Sequence, residues 1–529
     1  MMAWNAVWRE QALPGLAAIE WDLIVVGGGI SGAGILREAA RRGWKCLLIE
    51  QRDFAWGTSS RSSKMVHGGL RYIAKGQFKL TRESVHERQR LLAEAPGLVD
   101  PLSYIFPHYR GAFPGPRVMG ALLTLYDWLA GKRNHQYVAR PQLDYLAPGL
   151  KEQDLLGGSL FGDAVTDDAR LVLRVLGEAR AAGGEALNGL RVVELCRDGD
   201  RVVGLRAEDS EGGQRLRFTS RVVALATGAW SDRLRKVSGP EHIRPLRGSH
   251  LLLPGWRLPL AHAFSFLHAE DGRPIFVFPW EGATVIGTTD LDHRQDIDLE
   301  PHISAVEVDY LLAACAQQFP AAQIAAADVL SSWAGVRPVV SSGAKTRPSD
   351  ETREHALWIE PGCVTLAGGK LTTFRLLALD VLRACAPLLG KAFADDHGAT
   401  FAPLPPLPLP ARLTPHQQQR LRGRYGRELP ALAALLTQIG CEKVGASETL
   451  WAELALAAEQ ELVLHLDDLL LRRTRLGLLM AGGAAAELPR IRQLCQPRLG
   501  WSDARWQHEE SRYLVLWQRG YSLPAPDTA

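Results

Sequence analysis

The 529-residue sequence predicts an α/β fold of Rossmann type, interleaved with a mixed-sheet region and followed by an all-α C-terminal domain. Three observations predict it. A strand, a glycine turn, a helix and a second strand follow one another near the N-terminus. An antiparallel meander of short strands leads into a further buried strand. A proline-rich segment then gives way to residues of helical periodicity alone. The length exceeds what one ordinary core holds, so two or three domains are expected.

Residues 1–20 read as an N-terminal tail. "WDLIVV" (21–26) is a short buried-strand pattern, and "GGGISGAGILREAARRG" (27–43) is a glycine turn opening a helix. "WKCLLIE" (44–50) is the second strand of this βαβ unit. Residues 169–182 have helical periodicity and stop at Gly183-Gly184. "LRVVELC", "RVVGLRAE" and "RLRFTS", separated by "RDGD" and "SEGG", form the meander that leads into "RVVALATGAW" (221–230). "IFVFPW" (275–280) and "TVIGTTD" (284–290) belong to the mixed β region. "FAPLPPLPLPARLTP" (401–415) holds six prolines and reads as a stiff linker. Beyond it, "TPHQQQRLRGRYG", "ELPALAALLTQIG", "WAELALAAEQELVLHLDDLLLRRTRLGLLM" and "ELPRIRQLCQ" read as helices. The expected organisation is a tail at 1–20, an α/β body at 21–400, a linker at 401–415 and a helical domain at 416–529.

Composition narrows the function classes. Apolar residues make up 46% and charged residues 22%, the balance of a globular protein. A net charge of +3 gives no argument for nucleic acid. Seven scattered cysteines without a C-x-x-C read as reduced core thiols rather than a disulfide frame or zinc site. There is no H-E-x-x-H, G-x-S-x-G or Walker lysine, so neither a metal nor a serine nucleophile is expected. No secretory pattern is visible and no run reaches the roughly 18 apolar residues that span a bilayer. A cytoplasmic location is therefore expected.

Gly27-x-Gly29-x-x-Gly32 follows a strand and opens a helix, and Glu50 ends the next strand. Glycine serves the tight turn, then close approach to a pyrophosphate, then helix–strand packing. The helix N-terminus offers N–H groups to phosphates, and Glu50 can accept hydrogen bonds from a ribose. A buried strand ending in Ala-Thr-Gly (Gly228) lets the chain pass close to a cofactor at the same sheet edge. Following an antiparallel meander, it points to FAD in a glutathione-reductase-like domain rather than to NAD.

The sequence resembles the FAD-dependent glycerol-3-phosphate dehydrogenase family. The resemblance rests on "DLIVVGGGISGAGI", "TSSRSSKMVHGGLRYI", "DDARLV", "RGSHLLLP", "VFPWEGATVIGTTD", "AGVRPVV" and "LAGGKLTTFR", in the family's order over residues 22–375, and on "LRRTRLGL" (471–478). It implies an FAD domain intertwined with a substrate-binding domain, and a helical cap. It also implies oxidation of sn-glycerol 3-phosphate to dihydroxyacetone phosphate, with hydride passing to FAD and electrons to a membrane quinone.

On this reading the stretch "SSRSSKMVHGGLRY" (59–72) divides in two. Thr58, Ser59, Ser60, Ser63 and Lys64 face FAD, as do Gly368, Gly369 and Lys370 in the second glycine turn. His67 to Tyr72 faces substrate. Arginine suits a phosphate dianion through its planar fork, and Arg337, Arg71 and Arg353 are the candidates. Lys370 sits where a glycine turn enters a helix, and would bind substrate or stabilise charge on the reduced flavin. His67 and His250 compete for the role of base, and Tyr72 either orients substrate or packs.

Two segments are candidates for peripheral contact with the inner face of the cytoplasmic membrane: "RVMGALLTLYDWLAGKR" (117–133) and the basic "LRRTR" of the helical cap. A helix packed on the protein is the alternative for the first. The resemblance leaves room for a homodimer. An oxidase passing electrons to oxygen, an amine or amino-acid oxidase on a related FAD fold, and a redox-inactive scaffold are the competing functions.

Overall fold

The computed structural model describes residues 3–73, 76–235, 242–341, 355–394, 398–403 and 406–524. Strand Glu20–Val26 lies inside a sheet of eight strands, counted among the described residues. It runs parallel to Cys46–Ile49 on one side and Arg215–Leu225 on the other. Leu23, Ile24 and Val25 are fully buried, as in a parallel strand covered on both faces. Parallel pairing continues outward to Glu185–Leu187 and Cys363–Ala367, with antiparallel Ala356–Glu360 at the rim. Helices Ile30–Arg41, Asp168–Ala181 and Phe374–Leu389 pack into the core beside this sheet. Their close approach depends on small residues: a Cβ on Gly34 would stand 2.9 Å from Phe374 Cδ2.

The meander comprises Leu190–Asp198, Arg201–Asp209 and Arg215–Leu225. The last is one continuous strand: its first half pairs antiparallel within the meander and its second half joins the parallel sheet. "RLRFTS" and "RVVALATGAW", read separately from sequence, therefore share one element.

A second, ten-stranded mixed sheet, again counted among the described residues, contains Val99–Tyr109, Leu155–Thr166, Ile243–Pro254 and Ser331–Val340. Strand alternation divides its two faces. Leu251 and Leu253 enter a core shared with helix Ala305–Gln318, whereas Leu252 enters the core shared with the helical domain. Trp280 and Trp333 meet Trp451, Leu470 and Tyr513 there.

The helical region contains Pro415–Tyr425, Leu429–Ile439, Trp451–Gln460, Leu488–Leu499 and Asp503–Gly520. The described residues between 401 and 414 form neither helix nor strand. The long apolar run 451–480 is broken. Leu462 and Arg475 take left-handed φ values of 48° and 62°, around a π-helical turn Asp468–Arg473. The Asp468 carboxylate accepts the Leu464 and His465 N–H groups at 2.9 and 2.8 Å, offering the backbone an alternative to helix.

Two expectations need correction. The described part of the expected 1–20 tail, residues 3–20, is no tail: Ala6–Ala17 is a helix capped by the Asn5 side chain, which accepts the Trp8 N–H at 2.9 Å. Buried Trp4, Leu13 and Leu16 anchor it, and Arg9 bonds to Asp209 at 2.6 Å. The arginines of "LRRTR" are not a membrane-facing surface. Arg472, Arg473 and Arg475 are only 2%, 1% and 2% exposed, and their carboxylate partners include Asp53, Asp167 and Asp168 of the α/β body. Among the described residues no helix is long and apolar enough to cross a membrane.

Candidate functional site

The glycine turn after the first strand is built by exclusion of side chains. Gly27 has φ +113°, and a Cβ there would lie 2.5 Å from Ala226 O. A Cβ on Gly32 would lie 1.8 Å from Gly27 O, so the helix could not approach the turn. Gly29 is extended and caps helix Ile30–Arg41. A Cβ there would meet only Ser59, at 3.1 Å from its Oγ. That hydroxyl accepts the Ile30 N–H at 3.0 Å. Glu50 takes the Gly28 N–H at 2.6 Å and the Arg52 N–H at 2.9 Å. Burial lifts its pKa above the ordinary range, and those two donors oppose the shift.

A cavity of about 740 Å³ opens over this turn. Of the residues expected at the cofactor, Gly27, Gly29, Glu50, Thr58 and Ser59 line it on the first-strand side. Gly228, Gly368, Gly369 and Lys370 line it from the two later turns. Sequence reasoning missed Arg52, Trp56, Ser62, Trp230 and Asp298 in the same wall. Trp230 ends the quoted "VVALATGAW" run, and its Nε1 donates to Asp298 at 2.7 Å. Asp298 carried no local signal. The floor of glycines, the helix N-terminus and the converging strand ends suit a dinucleotide.

The remaining cofactor candidates lie behind this wall. Gly32 packs helix against turn. Ser60 is buried, and its carbonyl accepts from Lys64 Nζ at 3.1 Å. Ser63 Oγ is 2.9 Å from His250 Nε2. Lys64, expected to donate toward the cofactor, instead turns into the protein. Its ammonium is fully buried, 3.0 Å from Asp168 Oδ1 and 4.9 and 4.7 Å from the ring centroids of Trp280 and Trp333. Burial pulls its pKa down to about 8 against the pull of Asp168.

The expected substrate-side segments meet at one side of the cavity. Lys370 Nζ lies 3.5 Å from the Tyr72 ring centroid, and the Tyr72 and His67 rings are 6.3 Å apart. Thr372 Oγ1 donates to His67 O at 3.3 Å. Gly69, at φ +81°, leaves room for the Tyr72 ring, which an added Cβ would meet at 2.0 Å. Arg337 is held by Asp290 at 2.7 Å and Thr288 Oγ1 at 3.0 Å, next to cavity-lining Pro338. His250 is buried and stacked on Trp333 at 4.8 Å. Burial, reinforced by Arg337 and Lys64, holds its pKa well below the ordinary value. Arg71 lies in the turn Leu70–Ile73, and its side chain, like the whole of Arg353, falls outside the described residues.

The helical region braces the same wall from beneath. Arg473 grips Asp53 with Nη1 and Nη2 at 2.6 and 2.7 Å, and Arg472 joins through Nε. Although burial works against it, the two guanidinium groups hold the Asp53 carboxyl below its usual range. Arg475 contacts Asp167 at 2.9 Å and also Asp168.

Residues 22–374 match the family described as FAD dependent oxidoreductase, and residues 366–506 match the C-terminal domain of alpha-glycerophosphate oxidase. The chain is 34% identical to glycerol-3-phosphate dehydrogenase 2 of Mycobacterium tuberculosis, over 96% of this chain and 90% of that protein. It is 35% identical to the aerobic glycerol-3-phosphate dehydrogenase of Bacillus subtilis, over 74% and 71% of the two chains. Among solved structures it is similar to the glycerol-3-phosphate dehydrogenase of Bacillus halodurans complexed with FAD. The TM-score is 0.77, at 26% identity over 98% of both chains. A likeness to L-alpha-glycerophosphate oxidase of Mycoplasma pneumoniae, with TM-score 0.57 at 17% identity, shows the fold alone.

Proposed function

Since the chain belongs to the FAD-dependent glycerol-3-phosphate dehydrogenase family, we propose that it oxidises sn-glycerol 3-phosphate to dihydroxyacetone phosphate and delivers the electrons to a membrane quinone. Its cofactor is FAD. The observation that carries the reading is the meeting of "HGGLRY" and "GGKLTT" at one side of a glycine-floored cavity, through Tyr72 and Lys370.

Oxidation removes a hydride from the carbinol carbon and a proton from its hydroxyl. FAD, when bound, supplies the hydride acceptor. Gly27, Gly29 and the N-terminus of helix Ile30–Arg41 would hold its pyrophosphate, and Glu50 its ribose. On the protein side, Arg337, oriented by Asp290 and Thr288, is assigned to the substrate phosphate together with Arg71 and Arg353. Lys370 is assigned to the developing negative charge beside the flavin. The proton goes to His67 or His250. His67 is half-buried beside Tyr72, whereas His250 is enclosed with its Nε2 on Ser63.

Anaerobic addition of sn-glycerol 3-phosphate to the purified holoprotein tests the reading: the flavin absorbance should bleach, and an unchanged spectrum would refute it. Arg337→Ala should lower kcat/KM about 30- to 100-fold with FAD retained, as loss of charged hydrogen bonds to a phosphate demands.

The quinone assignment draws support from one surface. Helix Pro116–Ala130 buries Met119, Leu123 and Tyr126 but leaves Val118 and Trp128 exposed, Trp128 by 76%. Phe113, Tyr137 and Tyr145 are exposed too, as are the cations Arg117, Lys132 and Arg133. Such a mixture suits anionic lipid. Cosedimentation with anionic vesicles should be lost at high salt and in Trp128→Ser. Quinone reduction should exceed hydrogen peroxide yield. The reverse ratio would favour the oxidase reading.

A further inference from the structure

The loop Ser60–Lys64 does two jobs at the site. Ser62 lines the cavity, and Ser63 Oγ lies 2.9 Å from His250 Nε2. Its conformation is held both by bonds within it, such as Lys64 Nζ to Ser60 O at 3.1 Å, and from outside. Ser62 donates to Asp168 Oδ2 twice, from N at 3.0 Å and from Oγ at 2.7 Å. Lys64 Nζ donates to Asp168 Oδ1 at 3.0 Å, and Lys64 itself sits at φ +55°. Trp333 Nε1 donates to Ser62 O at 3.2 Å. One carboxylate thus gathers the middle and the far end of a strained loop, and it is fully buried.

Asp168 in turn is gripped from the helical region. Arg475 reaches Asp168 through Nη2 and Asp167 through Nε at 2.9 Å. Its Nη1 donates to Ser60 O at 3.2 Å and to Leu471 O at 2.7 Å. The guanidinium therefore meets the loop twice, directly at Ser60 and through Asp168 at Ser62 and Lys64. Only a fork with donors in three directions can do this; an ammonium cannot span it.

We infer that Arg475 is a positioning residue, which acts through Asp168 to fix the loop that presents Ser62 to the cofactor cavity and Ser63 to His250. The inference deepens the proposed flavoenzyme reading and rests on it. It also gives the C-terminal domain a part in the active site beyond covering it. Docking of that domain does not hang on this residue alone. Arg170 bonds Glu461 through Nη2 at 3.0 Å, and Arg473 and Arg472 grip Asp53. Loss of the Arg475 fork should therefore loosen the loop while the domain stays in place.

The test compares Arg475→Lys and Ser62→Ala with Arg170→Lys, which removes a bridge between the same two parts but touches no residue of the loop. Three readouts are taken on the holoprotein: the melting temperature, the visible circular dichroism of the bound flavin, and kcat with KM for sn-glycerol 3-phosphate. All three variants should lose melting temperature. Arg475→Lys and Ser62→Ala alone should change the flavin dichroism and lower kcat about ten- to hundredfold, with KM within about twofold, as a displacement near 1 Å does. If Arg475→Lys matches Arg170→Lys in dichroism and kcat, the assignment is overturned. Should Arg475→Lys fail to fold, Ser62→Ala decides: wild-type dichroism and kcat in that variant overturn it equally. The dichroism is read without substrate, so a failure of the substrate assignment, seen as absent bleaching in the wild type, is distinguishable from a failure of this one.

Discussion

Replacing two glycines of the same turn by alanine should separate cofactor binding from folding. At Gly29 the backbone is extended, at φ −78° and ψ −178°, so alanine costs nothing in conformation. Its Cβ would touch only the Ser59 hydroxyl, 3.1 Å away, a contact eased by a few tenths of an ångström. The methyl nonetheless stands in the wall of the cavity, where a pyrophosphate needs direct access to the N–H groups. Losing one or two charge-assisted bonds there costs about 2–3 kcal/mol, or a 30- to 150-fold rise in the FAD dissociation constant. At Gly32 the overlap is of another order. A Cβ 1.8 Å from Gly27 O must retreat by about 1.6 Å to reach ordinary contact, and it carries a helix buried between two others. That helix cannot shift without opening its packing, so a further loss of about 3 kcal/mol or more of stability is expected. Flavin fluorescence titration and apoprotein melting read the two effects independently. Gly29→Ala should bind FAD weakly and melt as the wild type does, whereas Gly32→Ala should fail in both. Wild-type FAD affinity in Gly29→Ala, or wild-type melting in Gly32→Ala, would refute the reasoning.

Three further outcomes are expected. His465 lies between Glu509 and Glu211 at 3.1 and 3.3 Å. Burial opposes its charge, but the carboxylates hold its pKa up to about 10. A folded pKa above the unfolded value stabilises fully below about pH 6.5 and is lost as pH rises toward 10. His465→Gln should therefore cost about 1–2 kcal/mol near pH 6 and progressively less by pH 9.5, read as a closing gap between melting curves; a constant gap would contradict it. Asp53→Ala strands the buried Arg473 guanidinium and takes one of three carboxylates from Arg472, and should cost about 3–5 kcal/mol in thermal unfolding. Ser63→Ala removes the hydroxyl partner of His250 and should alter the pH dependence of kcat while FAD affinity stays within about twofold, checked by the same titration.

Much of the fold was legible because its signals are local. "WDLIVV" and "WKCLLIE" are buried parallel strands, and the 169–182 periodicity is the helix Asp168–Ala181. The glycine positions announce themselves because their reason, a turn and a close approach, lies within a few residues. What was not legible depends on partners far along the chain. Lys64 looked like a donor for an anion outside the protein. Its anion is Asp168, which local sequence gives no reason to place beside it. "LRRTR" read as a basic surface because its own five residues hold no acid, whereas Asp467 just upstream and Asp53, Asp167 and Asp168 across the fold neutralise it. Trp4 and Leu16 looked like tail residues because the surfaces that bury them, Ala186 and Trp21 among them, come later.

The grip of Arg472 and Arg473 on Asp53 also sets a timetable for biosynthesis. Asp53 leaves the ribosome early, and its counter-charges, Arg472 and Arg473, follow 419 and 420 residues later. Until then the nascent chain holds a carboxylate whose burial is too costly to complete. The Asp53 loop beneath the cavity therefore sets only after Arg472 and Arg473 have emerged, so flavin loading is coupled to synthesis of the helical region.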